Sequence, residues 1–248
     1  MEIPSSYIEE MKDYKEEGNP MNKNRVFTET ELEELGKRTV DLVCEAIDAG
    51  DNEKAKKLSE RMHREFQSMH DVYVTWFTGA LSYIYEHYGD KALYEAMHQS
   101  SSVWFKPIVE SYDKTGDFRH QVVMLAHGLA GHLQPMKVEE DDEKVCITMM
   151  PCGSGERLFQ AGGYEPPKNL SIVKKPQPLT YGKPNCPIYC AHEAMLEILP
   201  IEWRGYPHWV CFPAEGFTSG GCRFCLYKNP EAIPEEVYTM VGKKKPKS

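Results

Sequence analysis

The chain has 248 residues, and its 29 Lys and Arg stand against 38 Asp and Glu, a net charge of −9. Hydrophobic residues make up 41% and charged residues 27%, an ordinary globular balance in a chain long enough for one large domain or two small ones. The acidic surplus argues against non-specific nucleic-acid binding, and no run reaches the ~18 apolar residues of a membrane span.

Residues 1–27 are polar, broken by Gly18, Asn19 and Pro20, and read as a loosely packed arm. They lack the apolar stretch of a signal peptide, which makes the cytoplasm the expected location. The eight cysteines are then expected as thiols, metal ligands or catalytic groups rather than disulfides. Residues 28–135 read as a helical bundle. Thr30 and Glu33 form a capping-box pattern opening a helix that stops at Gly50. A long helix over 52–88 carries the stripe Leu58, Met62, Phe66, Met69, Tyr73, Trp76, Ala80 and Tyr83 at steps of three and four, the expected core face. Gly89 ends it. Shorter helices over 91–99, 102–113 and 118–133 follow, the last burying Phe118, Val122, Leu125 and Leu129.

From 136 to 230 the pattern changes to an α+β region. Strands over 136–140 and 144–150 flank an acidic turn, and a Gly/Pro-rich loop over 151–184 is long enough to suggest ligand binding. A helix over 187–199 and strands over 206–212 and 222–228 complete the region, leaving 231–248 as a tail. The fold class is therefore α+β: a helical bundle packed on a smaller antiparallel sheet with one covering helix.

Four groups of residues could carry chemistry. His63 and His70 share one helical line, and His120 and His127 another. A bundle metal site would need one imidazole from each helix and a third ligand, with His70, His127 and Cys190 as candidates. The alternative is that each histidine hydrogen-bonds a neighbouring helix. In Cys186-Pro187-Ile188-Tyr189-Cys190-Ala191-His192-Glu193, proline at the first helical position puts Cys186 at the N-cap, where the dipole favours a thiolate. Cys186, Cys190, Glu193 and Glu197 share one helical face, suiting a metal or a nucleophile with an acid/base partner; two packed cysteines and two solvated glutamates are the plain alternative.

Cys222 and Cys225 have the spacing of a metal knuckle; in a strand they point to opposite faces and cannot share an ion, whereas a turn there would let them pair. In Cys152-Gly153-Ser154-Gly155-Glu156-Arg157 the backbone can turn sharply and offer N–H groups to an anion near Arg157; a ligand-free tight turn is the alternative. The segment lacks the Gly-Lys-Ser/Thr of a nucleotide P-loop.

The acidic hairpin, the helix opened by Cys186-Pro187 and the closing Gly221-Cys222-Arg223-Phe224 resemble the 2-amino-thiazoline-4-carboxylate hydrolase-like family over roughly residues 120–228. More loosely they resemble the ligand-binding domains named after vinyl reductase. The resemblance implies cytosolic bacterial proteins whose named activity opens a small sulfur–nitrogen heterocycle, with Cys186 and Cys222 as the functional cysteines. Cys190, Cys225 and the Cys152 loop depart from that pattern.

The reading is thus a hydrolase-like enzyme acting on a small heterocyclic or sulfur-containing molecule. Catalysis falls to Cys186, Cys152 and Glu193, and ligand binding to Tyr73, Trp76, Gly153, Ser154, Arg157 and Cys222. A transition metal (zinc, iron or nickel) is the candidate cofactor, and a homo-oligomer the candidate assembly. The expected pocket is walled by Tyr73, Trp76, Tyr83 and Trp104. A small-ligand or metal-binding sensor or carrier is the alternative, and an interaction protein with incidental cysteines a third.

Overall fold

The computed structural model describes residues 27–217 and 220–247; the polar arm expected over 1–27 lies outside them except for Phe27. The chain divides by its contacts into two units, the boundary falling between Val72 and Tyr73.

The first unit begins with α1 (Glu29–Leu35) and α2 (Thr39–Asp48). The capping box forms two residues earlier than expected: Thr28 Oγ1 accepts from the Glu31 N–H at 3.2 Å, and Glu31 Oε2 accepts from the Thr28 N–H at 2.6 Å. Gly36 caps α1, so the single expected helix is two. Leu42, Ala46, Ala55 and Leu58 form a small core, closed at its edge by Thr39, whose hydroxyl donates to Glu65 at 2.7 Å.

The long helix α3 (Asn52–Thr115) is broken at Gly89, whose φ of 79° and ψ of −174° take it out of the helical region. The expected stop is there, but the helix then runs on through Ser100, Ser101 and Ser102 as one piece, tolerating Pro107. In the second unit α3 buries Val74, Thr78, Leu81 and Ser82, not the expected stripe. Trp76 is 71% exposed, and Tyr73, Tyr83 and Trp104 are also exposed, so these four do not wall a pocket. The hydroxyls explain the difference. Thr78 Oγ1 donates to the Val74 carbonyl and Ser82 Oγ to the Thr78 carbonyl, while Ser82 Oγ also accepts the Ser171 N–H at 2.9 Å. Satisfied in this way, they can be buried, and an apolar count overlooks them.

Helix α4 (Phe118–Ala130) buries Leu125 and Leu129 as expected; the opposite face, with His120, Val123, His127 and Ala130, is exposed rather than covered. Strands β1 (Met136–Glu140) and β2 (Lys144–Met149) form the expected hairpin. Asp141 Oδ1 accepts the N–H groups of Glu143 and Lys144, both at 2.8 Å, and with Lys144 alongside, its carboxyl is drawn down to about 2.

The segment expected as one loop contains α5 (Gly155–Gln160), β3 (Ile172–Val173) and a 3₁₀ turn over Pro178–Thr180. Strand β4 (Cys186–Pro187) pairs with β3. A 3₁₀ turn (Ile188–Cys190) leads into α6 (Ala191–Arg204), and β5 (Val210–Phe212), β6 (Arg223–Tyr227) and α7 (Glu235–Met240) follow.

The main sheet is antiparallel with order β1-β2-β6-β5. Ile147 and Phe224 stand opposite one another, as do Val145 and Leu226. Ile147, Phe224 and Leu226 share one core with Met195, Ile198 and Leu199 of α6 and with Val237 and Tyr238 of α7, so part of the expected tail is core. The same register sets Cys146 directly opposite Cys225, and the two form a disulfide. For these two the less favoured expectation, a disulfide, is the one that forms, while the other six cysteines are free thiols. The chain is thus α+β, and no helix among the described residues is long and apolar enough to cross a membrane.

Candidate functional site

Within the second unit, β2, β5 and β6 meet the start of α6 around a cavity of ≈ 470 Å³ of empty space, its mouth included. Four cysteines line it: Cys152, Cys190, Cys211 and Cys222. Each comes from a different element. Cys222 stands at the entry to β6, Cys211 on β5, Cys190 at the N-cap of α6, and Cys152 between β2 and α5.

Two glycines allow so close an approach. A Cβ on Gly155 would lie 2.8 Å from Cys190 Sγ. Gly221, at φ +70°, passes so near β2 that a Cβ would fall 1.6 Å from the Met149 carbonyl oxygen. A residue other than glycine would be strained there and would also collide.

Burial raises a thiol's pKa, because the thiolate loses its water. Burial pushes Cys190 and Cys211 far up, and Cys186 up as well. Cys152 is also raised by burial, against the pull of the N–H groups of Glu156, Ser154 and Gly155. Cys222 is the exception. The Cys211 S–H donates to its sulfur and the Ala214 backbone bonds it too, which together outweigh burial and hold it below the ordinary thiol range. Cys211 is itself placed from behind, its N–H donating to Glu197 Oε1 at 2.9 Å. Glu197 is 1% exposed, and burial pushes its carboxyl up to about 8.

The polar side of the cavity belongs to α6. Glu193 lines it, with Oε1 3.2 Å from His192 Nε2. His192 Nδ1 lies 2.8 Å from the Tyr189 carbonyl, which can only accept, so Nδ1 carries a proton. Phe77 packs edge-on against the rings of Tyr189 and His192, at 6.4 and 6.2 Å between centroids, and holds the pair in place. At the other wall Ser154 is hydrogen-bonded to His132 Nδ1 and to the Tyr189 hydroxyl.

The expected site residues fare unequally. Cys152, Ser154, Cys190, Glu193 and Cys222 come together around the cavity. Cys186 does not sit at the helix start: it is fully buried in β4 and held by the pairing of Val173 with Cys186. The 3₁₀ turn after Pro187 delays the helix by four residues, which gives the N-cap to Cys190 and takes from Cys186 the dipole expected to favour its thiolate. Arg157 Nη1 donates to the His132 carbonyl at 3.3 Å and so braces the loop. Gly153 is needed because a Cβ would lie 2.0 Å from that same carbonyl oxygen.

Tyr73 and Trp76 lie on exposed positions of α3. His70, in the first unit, bonds Asp71 at 3.0 Å, and His127 is exposed on α4. No group of three or more His, Cys, Asp or Glu among the described residues is drawn together closely enough to hold a metal ion. Sequence reasoning passed over Cys211, His132 and Tyr181 as cavity residues. Of these only Cys211 had a signal, its place in a strand beside the Cys222 strand.

Compared with known proteins, the chain matches no family model, no curated protein and no solved structure.

Proposed function

We propose that the chain is a cytoplasmic, hydrolase-like enzyme that uses a cysteine on a small heterocyclic or sulfur-containing molecule, with Cys222 as nucleophile. The observation that carries this is the pairing of Cys211 with Cys222, which leaves Cys222 the one cavity thiol whose pKa lies below its ordinary value. The resemblance through Gly221-Cys222-Arg223-Phe224 supports the substrate class.

In this reading Cys222 Sγ adds to an electrophilic carbon bonded to a ring heteroatom. As the carbon–heteroatom bond breaks, its electron pair goes to the heteroatom, which takes a proton from the His192–Glu193 pair. Water then attacks the carbon bound to sulfur, returns a proton to the pair and releases the thiolate. The Tyr189 hydroxyl, which accepts from Ser154, stands opposite as a donor to charge developing on the substrate.

The test is single-turnover kinetics on a panel of small thiazoline- and imidazoline-type rings. Cys222→Ser should lose at least about 100-fold in kcat/KM, a nucleophile's contribution, and Glu193→Gln a further measurable part, while Cys186→Ser stays near wild type. Alkylation of Cys222 should inflect below the ordinary thiol value of ~8.5. Full turnover in Cys222→Ser would overturn the assignment, and saturable binding without turnover would make the protein a carrier.

A further inference from the structure

Strand β6 carries sulfur on both of its faces. Cys225 is fully buried on one, where it is joined to Cys146 of β2. Cys222, at the entry to the strand, points to the other face and lines the thiol cavity. The register sets Cys211 of β5 opposite Phe224, so Cys211, Phe224 and Cys222 share that face, and all three line the cavity. Cys211 and Cys222 are diagonal neighbours on consecutive antiparallel strands, and the Cys211 S–H donates to the Cys222 sulfur.

No other sulfur is placed in this way. Cys190 Sγ is seated over Gly155, and Cys152 belongs to the segment between β2 and α5. The Cys146–Cys225 disulfide lies on the far face of the sheet, which keeps it from thiol exchange with Cys222.

We infer that Cys211 and Cys222 form a reversible redox couple, closed to a disulfide by a hydroperoxide that enters the cavity and reopened by a dithiol. This rests on the reading of Cys222 as the reactive thiol. Cys222 Sγ, as thiolate, attacks the terminal oxygen of the hydroperoxide. The O–O bond breaks, its electron pair leaves on the alkoxide oxygen, and that oxygen takes the proton Cys222 released on ionising. Cys222 is left as a sulfenic acid. Cys211 Sγ then attacks Cys222 Sγ, the S–O bond breaks, and hydroxide departs with the Cys211 proton as water. Two thiols and one hydroperoxide give one disulfide, one alcohol and one water, with two electrons passing from sulfur to oxygen.

The surroundings set the order of events. Cys222 is half-buried and held below the ordinary thiol range, whereas Cys211 is buried beside it and raised. The disulfide also removes the nucleophile of the proposed hydrolysis, so oxidation switches that reaction off.

Hydrogen peroxide is the probe, added stoichiometrically to native full-length protein and followed by intact mass and peptide mapping. Wild type should lose the mass of two hydrogens. Cleavage at Glu215, which lies between the two cysteines, should leave their peptides joined until dithiothreitol parts them. Native alkylation of Cys222 and turnover of the ring panel should be lost as the crosslink forms and return with the dithiol. Cys211→Ser should stop at the sulfenic acid, trapped at Cys222 by dimedone. Should that variant fail to fold, dimedone added with peroxide to wild type should capture Cys222 at the expense of the crosslink. A gain of oxygen without a crosslink, Cys222 joined to Cys152 or Cys190, or a protein unchanged by peroxide would each overturn the couple. A Cys211–Cys222 crosslink in a protein that turns over no ring would support the couple and sink the hydrolase reading alone.

Discussion

Glu197 gives the cavity a pH dependence of its own. Its carboxyl is raised to about 8 by burial, against ~4.3 in an unfolded chain. Between those values the folded state binds the extra proton, so stability falls as pH rises through this window and levels off above about 8. Across the window each pH unit removes roughly 1.4 kcal/mol, so the whole loss is on the order of several kcal/mol. Glu197→Gln keeps an acceptor for the Cys211 N–H and never ionises. Urea unfolding at pH 5.5 and pH 8.5 should therefore show a fall in wild type that is much smaller in the variant. Parallel pH profiles for the two proteins would show that Glu197 is not carrying the effect. The same substitution should leave alkylation of Cys222 fast, because the Cys211 S–H that supports it is untouched.

At the scale of elements, Gly221 decides where β6 begins. Gly221→Ala places a methyl 1.6 Å from the Met149 carbonyl at a φ of +70°, so β2 and the Cys222 turn must move apart. We expect a loss of about 2–4 kcal/mol, strain and a broken ladder contact together, read as a drop in the denaturant midpoint, with slower Cys222 alkylation. A variant of wild-type stability would mean that the turn adapts freely. The hairpin β1–β2, the break at Gly89 and the buried face of α4 were legible in the sequence because each rests on one local signal: an acidic turn, a glycine, a 3.6-residue repeat. The two-faced placement of Cys222 and Cys225 was legible for the same reason, from the period of two in a strand. The helix start after Cys186-Pro187 was not, since the pairing of Val173 with Cys186 is long-range and holds that proline extended. Nor was the buried face of α3, where Thr78 and Ser82 stand in for apolar residues once their hydroxyls are bonded.

For the whole molecule, Cys146 and Cys225 tie together segments 79 residues apart. Closing a loop of that length takes roughly 4 kcal/mol from the unfolded chain in the loop-entropy account, about 10 °C in melting temperature for a protein of this size. Dithiothreitol should lower the melting temperature by an amount of that order, and Cys146→Ser should make the protein insensitive to the reductant; an unchanged melt under reduction would mean that the crosslink adds nothing to stability. The crowding of sulfur in the thiol cavity also governs how the protein counts under a labelling reagent. Of the six cysteines outside the disulfide, Cys44 is exposed and Cys186 is sealed in the core, and the remaining four share one narrow opening. A bulky maleimide that reaches Cys222 first becomes a stopper for Cys152, Cys190 and Cys211. Intact mass should then plateau at two adducts in the native protein, one at Cys44 and one at Cys222, and rise to six only when the unreduced chain is unfolded.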